Sequence, residues 1–319
     1  MKFDVVALGE LLIDFTPVGQ CASGGALFEQ NPGGAPANVL VALTKLGGHG
    51  AFIGKVGSDQ FGVFLRRVLE SHGVDAQGLR STADASTTLA FVHLDAGGNR
   101  SFSFCRKPGA DILLEASEVD LALIAGCRIF HFGSLSLTDE PARTATMHAV
   151  QHAKKLGKII SYDPNWRPPL WKDDTAAKAG MTAGLAHADI LKVADSELEM
   201  LTGEKDMGRA VECLYERGIK IVLATLGAEG CYFKCRAGTG HVPAFPVKVV
   251  DTTGAGDAFL GGFLYRLSRS HKKLEELQMA EVTEMVRYSN AIGSLCATRK
   301  GAISAMPLPN EVEALLRSV

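Results

Sequence analysis

The chain has 319 residues, with 33 Lys and Arg against 35 Asp and Glu and a formal charge of −2, a balance that argues against a nucleic-acid binder working through a basic surface. A 46% hydrophobic fraction with 35 glycines and 12 prolines excludes disorder, collagen and coiled coil and suits a globular chain that buries roughly 75% of its unfolded surface. No apolar run approaches the ~18 residues of a membrane span, and the start, MKFDVVALGE, has no basic segment followed by a long apolar stretch. The expectation is a soluble, cytoplasmic protein. Its seven cysteines, at positions 21, 105, 127, 213, 231, 235 and 296, are odd in number and scattered, as reduced thiols are.

In chain order, residues 5–8 form the first strand, and the segment 9–14 that ends it carries Asp14, a carboxylate able to accept two hydroxyl hydrogens. Next come Gly33 and Gly34, which let the main chain approach a ligand closely, and a helix over 36–46 with Val39, Ala42, Leu43 and Leu46 on one face. Pro36 suits its first turn, and Asn38, one turn in, offers a donor and an acceptor. An Asp and an Asn beside bare backbone suit a polyol, although a glycine turn with a buried Asn has the same pattern. Further strands follow at 51–54, 128–132, 159–162, 190–193 and 219–223, alternating with helical stripes, so a mainly parallel sheet is expected. His148 and His152 are ordinary helix positions without the Glu of a metalloprotease motif, and Cys231 and Cys235 read as a strand with two buried small side chains.

Two stretches break the βα rhythm. One is 11–31; the other, 87–107, reads as a hairpin of strands 88–94 and 101–105 about a turn at 95–99. The expected division is an α/β core of residues 1–10, 32–86 and 108–319, with a discontinuous β lid of residues 11–31 and 87–107 able to cover a ligand at the carboxyl ends of the sheet.

The most specific stretch is VVDTTGAGDAFLGGF at 249–263, a strand-like run into a glycine turn that opens a helix. Such a turn aims the amides of residues 254–257 at an anion, aided by the helix dipole. Asp257 is the carboxylate beside this cradle, and the dipole is expected to keep it ionised, a weak but always available base that suffices for phosphoryl transfer. An ordinary acidic first-turn residue fits the segment equally well. The dinucleotide pattern fails because residue 259 is Phe, and neither a Walker A loop nor a G-x-S-x-G elbow is present.

Together, GGAPAN at 33–38 running to GKVGSDQFG at 54–62, and DTTGAGDAF at 251–259, resemble the two signatures of the ribokinase-like (pfkB) carbohydrate kinases. FCRKPGAD at 104–111, HFGSLSL at 131–137 and SYDPNWRPPLW at 161–171 are similar to fructokinase segments within that family. The resemblance implies a three-layer α/β/α domain with a mainly parallel central sheet and a small β lid. It also implies transfer of the γ-phosphoryl group of MgATP to the 6-hydroxyl of D-fructose.

Carried over by position, Asp257 matches the catalytic base, and Gly254, Ala255 and Gly256 match the anion hole. Asp14, Gly33, Gly34 and Asn38 match sugar contacts, and Arg106 a lid residue reaching sugar or phosphate, unless it is a solvated charge. Asn165, Arg167, Lys192, Thr225, Gly227, Gly230 and Asn290 resemble nucleotide-side residues, a plain salt bridge being as good a reading of Lys192. Asp251 and Thr253 match a potassium site. Glu197 matches a residue acting on magnesium through water, although Ala194 stands where the family's N-x-x-E motif has Asn. The alternatives are a 2-keto-3-deoxygluconate kinase, with Arg106 or Arg167 pairing the substrate carboxylate, and a non-catalytic sugar-sensing protein. A homodimer through the lid is the expected assembly.

Overall fold

β-Branched strands in register with amphipathic helices give a three-layer body in the computed structural model, which describes residues 1–94 and 100–318. The expected turn at 95–99 lies outside the described residues. The chain enters at β1 (Phe3–Leu8), leaves for a second sheet with β2 (Leu12–Gln20) and β3 (Ala26–Gly33), and returns through α1 (Ala35–Lys45) to β4 (Gly50–Gly57), α2 (Gln60–Ser71) and β5 (Val74–Thr82). A second excursion, β6 (Leu89–Leu94) and β7 (Arg100–Cys105), completes the small sheet. Then follow α3 (Leu121–Ala125), β8 (Cys127–Gly133), α4 (Ala142–Lys155), β9 (Ile159–Asp163), α5 (Asp174–Leu185), β10 (Ile190–Ala194), α6 (Asp195–Thr202), α7 (Met207–Glu216) and β11 (Ile221–Thr225). The chain ends with β12 (Cys231–Cys235), β13 (Gly238–Val242), α8 (Ala255–Arg269), α9 (Met279–Cys296) and α10 (Pro309–Arg317).

The large sheet has the order β13-β12-β11-β10-β9-β8-β1-β4-β5. It is parallel from β11 to β5, and β12 and β13 close one edge as an antiparallel hairpin. The strand expected at 219–223 begins two residues later, at Ile221. Side-chain alternation along each strand builds two cores. Val5 and Ala7 pack with Leu40, Phe52 and Phe263 beneath α1, α2, α8, α9 and α10, whereas Val6 and Leu8 pack with Phe130, Tyr162 and Leu191 beneath α3 to α7. Among the described residues no helix is long and apolar enough to cross a membrane.

The small sheet has the order β3-β2-β6-β7. Its register aligns Asn31, Asp14, Ala90 and Phe104 across the four strands on one face. Neighbouring positions face the other way: Phe15 stacks on Phe91 with ring centroids 5.0 Å apart and meets Phe61 of α2 edge-on at 5.9 Å. The sheet thus stands over the carboxyl ends of β1 and its neighbours, where the order of strand addition reverses and open α/β sheets bind ligands.

Candidate active site

The glycine turn behaves as its sequence requires. Gly254 caps α8 at φ 76°, in the left-handed region, and a Cβ there would come 2.6 Å from that of Ala302. The Ala255 amide closes the turn on the Thr252 carbonyl at 3.2 Å. The amides of Gly256 and Asp257 are then among those a helix start presents to an anion. Asp257 is buried, and its Oδ2 accepts a hydrogen bond of 2.8 Å from Asn38 Nδ2 of α1. The expectation that the dipole keeps this carboxyl ionised holds only above about pH 6. Burial, with repulsion from Asp163, raises it from 3.8 to about 6 against the pull of Lys192, Asn38 and Arg167. Desolvation outweighs a half-charge dipole.

On one side of the turn lies a cavity of about 280 Å³, walled by Asp14, Gly34, Asn38, Asn165, Arg167 and Asp257. Asp14 projects into it from the lid and is also raised to about 6, by burial and by Asp257 and Asp251, with Arg167 opposing. Gly33 and Gly34 have no room for side chains: a Cβ on Gly33 would sit 2.2 Å from Asp14 Oδ2, and one on Gly34, at φ 117°, 2.4 Å from the Glu10 carbonyl oxygen. Asn165 and Arg167, expected on the nucleotide side, line this cavity instead. They follow β9, whose end opens toward the turn, and Asn165 is held at φ 44° with its amide on Asp163 Oδ1 at 3.1 Å.

On the other side is a larger, mostly apolar slot of about 600 Å³, lined by Thr225, Gly227, Gly230, Phe245 and Asn290 and by Ala255 and Gly256 of the turn. Asn290 Nδ2 donates to the carbonyls of Val242 and Pro243 at 2.9 and 3.1 Å, pinning the strand exit that forms its wall. Gly230, at φ 94°, passes so close to Val242 that a Cβ would lie 2.1 Å from its carbonyl oxygen. The expected nucleotide residues Thr225, Gly227, Gly230 and Asn290 therefore meet in one slot.

The remaining residues act behind these walls. Lys192 lines neither cavity; it is buried 3.1 Å from Asp163 Oδ2, and its Nζ is 3.2 Å from where a Gly256 Cβ would be. Burial would lower Lys192, but Asp163, Glu197 and Asp257 raise it, so it stays a cation under the turn. Glu197 accepts from the Trp166 and Ala194 amides at 2.7 and 2.8 Å. What it needs from residue 194 is a main-chain N–H, which Ala supplies as well as Asn. Asp251 accepts from the Thr253 amide and hydroxyl at 2.8 and 2.7 Å and from the Gly301 amide at 3.0 Å, tying the loop before the turn to the loop before α10.

Arg106 departs from its expected role. Its guanidinium is buried against Asp111 at 2.7 Å and donates to Thr138 Oγ1 and the Leu135 carbonyl, while Thr88 also donates to Asp111. It clamps the root of the lid rather than reaching the cavity wall. Sequence reasoning passed over Glu10, a buried acid on that wall whose Oε1 accepts from the Ala35 amide at 2.8 Å.

A glycine turn at a helix start between a polar cavity and an apolar slot fits a kinase-type site, and the family comparison gives the class. A model described as pfkB family carbohydrate kinase matches residues 2–309, and the chain belongs to that family. It is 44% identical over 317 residues to the probable fructokinase-5 of Arabidopsis thaliana, covering 98% of this chain and 97% of that one. Among solved structures it is similar to the Xylella fastidiosa fructokinase with bound ATP, at TM-score 0.92 and 36% identity over 100% of this chain and 99% of that one. It is also similar to the Vibrio cholerae O395 fructokinase in its fructose, ADP and calcium ion bound form, at TM-score 0.89 and 35% identity over 99% and 100% of the two chains.

Proposed function

We propose that this pfkB-family kinase transfers the γ-phosphoryl group of MgATP to the 6-hydroxyl of D-fructose. One observation carries the reading: the turn at 254–257 is a wall of both cavities, with Asp257 facing the polar one and Ala255 and Gly256 the apolar one. A sugar and a nucleotide seated there would face each other across that turn. The names of the relatives favour fructose among the sugars.

In this mechanism the Asp14 carboxylate and Asn38 Oδ1 accept hydrogen bonds from sugar hydroxyls while the lid excludes water. Asp257, mostly ionised at pH 7 with a value of about 6, takes the hydroxyl proton. The Gly256 and Asp257 amides receive the oxygens of the transferring group, which in a loose transition state carry the developing charge. Lys192, under the turn, reinforces that field.

The residues present fit a magnesium ion that arrives on the nucleotide. No cluster of three metal-ligating side chains exists among the described residues, magnesium keeps most of its waters, and the buried carboxylates of Asp163 and Glu197 would meet it through them. When bound, the ion neutralises phosphate charge. A potassium ion on the Asp251 and Thr253 loop, a cytoplasmic setting in keeping with free thiols, and a homodimer joined at the lid belong to the same proposal.

A specific observation keeps a second substrate in play: Arg167 faces the sugar cavity, where a carboxylated sugar such as 2-keto-3-deoxygluconate would find a cation. The test is ADP release with MgATP against fructose, 2-keto-3-deoxygluconate, ribose, glucose and adenosine, with and without potassium. Fructose turnover at the highest kcat/KM is expected. Preference for the acid sugar transfers the assignment to that substrate, and absence of turnover with any sugar points to a non-catalytic sensor.

A further inference from the structure

Two side-chain acceptors on the wall of the polar cavity are buried and have no hydrogen-bond partner among the described residues: Asn38 Oδ1 and Glu10 Oε2. Asn38 is already assigned to the sugar, but nothing above employs the second oxygen of Glu10. A buried acceptor without a donor is costly, and it persists where a ligand supplies the donor.

The other oxygen of Glu10 has a clear task. Gly34, at the start of α1, has no side chain to cap the helix, and the first turn of α1 contains no acid. Glu10, reaching across from the end of β1, accepts the Ala35 amide instead. This bond fixes the start of α1, hence the approach of Gly33 to Asp14 and of Gly34 to the Glu10 carbonyl, and the placement of Asn38 on Asp257.

We propose that Glu10 is a positioning and specificity residue that caps α1 through Oε1 and accepts a non-reacting sugar hydroxyl through Oε2. The charges that act on Glu10 are those of the Arg106 and Asp111 pair, whose opposite signs pull in opposite directions. A sugar hydroxyl is the donor class that fits, because the cavity is polar and contains Asp14 and Asn38 as further polyol partners.

The inference rests on the sugar-kinase reading, and the experiment separates the two. Glu10→Gln retains an oxygen for the Ala35 amide but puts an NH2 where Oε2 was, so it removes the acceptor without removing the cap. Its KM for fructose, measured at pH 8 where Glu10 is ionised, is expected to rise about 10- to 100-fold, as for loss of a hydrogen bond to a charged group, and by more than kcat falls. Glu10→Ala is expected to lower Tm as well. With wild-type enzyme, one of 1-deoxy-, 3-deoxy- or 4-deoxyfructose should show the same rise in KM, and Glu10→Gln should add little to it. An unchanged KM in Glu10→Gln, or a wild-type enzyme indifferent to all three missing hydroxyls, overturns the proposal even if the variant folds poorly. No turnover of fructose by wild-type enzyme overturns the fructokinase reading instead.

Discussion

Three carboxyls in the polar cavity, Glu10, Asp14 and Asp257, are raised to about 7, 6 and 6 from ordinary values of 4.5, 3.8 and 3.8, in each case chiefly by burial. Between roughly pH 4 and 7 these three groups hold more protons in the folded chain than in the unfolded one, and their contribution to stability falls as pH rises through that window, against the smaller opposite contribution of buried His131, lowered from 6.5 to about 4. A two-unit shift corresponds to at most about 3 kcal/mol for each group. Activity runs the other way, since Asp257 accepts a proton only when ionised. Calorimetry of the ligand-free protein should give a higher Tm at pH 5 than at pH 7.5, while kcat/KM declines as pH drops below about 6. Asp257→Asn should lower kcat by about 10²- to 10⁴-fold, as for loss of a general base, and flatten part of the Tm profile. Wild-type turnover in that variant would remove Asp257 from the mechanism.

Asp257, Asn38 and Asp14, which line one cavity, were legible as candidates because each sits in a short motif whose residues bring their own backbone. Their protonation was not, because desolvation depends on chain segments hundreds of residues away. Arg106 misled for the same reason: its partners include Leu135 and Thr138, which no local pattern connects to a lid hairpin. Asn165 and Arg167 could be placed at a strand end from sequence, but not on one side of the turn or the other. Glu10 left a faint signal, an acid just after a strand together with a glycine-capped helix in need of a cap.

At the level of elements, the site depends on how closely α1 and α8 approach. Gly261 is one turn beyond Asp257, and Ala42 one turn beyond Asn38. A Cβ on Gly261 would lie 2.6 Å from both Ala42 Cβ and the Val39 carbonyl oxygen. This bare contact brings the helices near enough for Asn38 to bond Asp257 at 2.8 Å. Gly261→Ala, forced against backbone, is expected to cost about 1–3 kcal/mol in overpacking, read as a lower Tm, and to lower kcat by loosening the Asn38 bond. An unchanged kcat would show that the bond tolerates helix displacement. The sequence displayed Gly261 inside an apolar helical stripe, but a stripe reports which face is buried and not how tightly. Likewise the alternation of strands and helices pointed to a parallel sheet, while the β12 and β13 hairpin at its edge was only half visible, as a strand with two buried cysteines.

At the level of the whole molecule, the lid has one face on the sugar cavity and another that is apolar and partly bare. A register shift between Pro17 and Gly19 bends β2 near its end, where Val18 lies on the cavity wall, and on β3 beside it Leu27 and Phe28 are 45% and 38% exposed. Phe28 also meets Phe91 edge-on at 5.8 Å, extending the aromatic row that runs through Phe15 to Phe61 of the core. An uncovered apolar sheet face of this kind is a liability that pairing with a second copy removes. If two lids cover each other, each is also braced against opening, so assembly and sugar affinity are linked. Phe28→Asp would place a charge in the covered face, and sedimentation should then show half the wild-type mass. Because an unbraced lid closes less often over the sugar, KM for fructose should rise with dissociation while the intrinsic kcat changes less. A wild-type protein that sediments as a monomer, or a Phe28→Asp protein that keeps its mass, would mean that the exposed aromatic edge serves the lid alone.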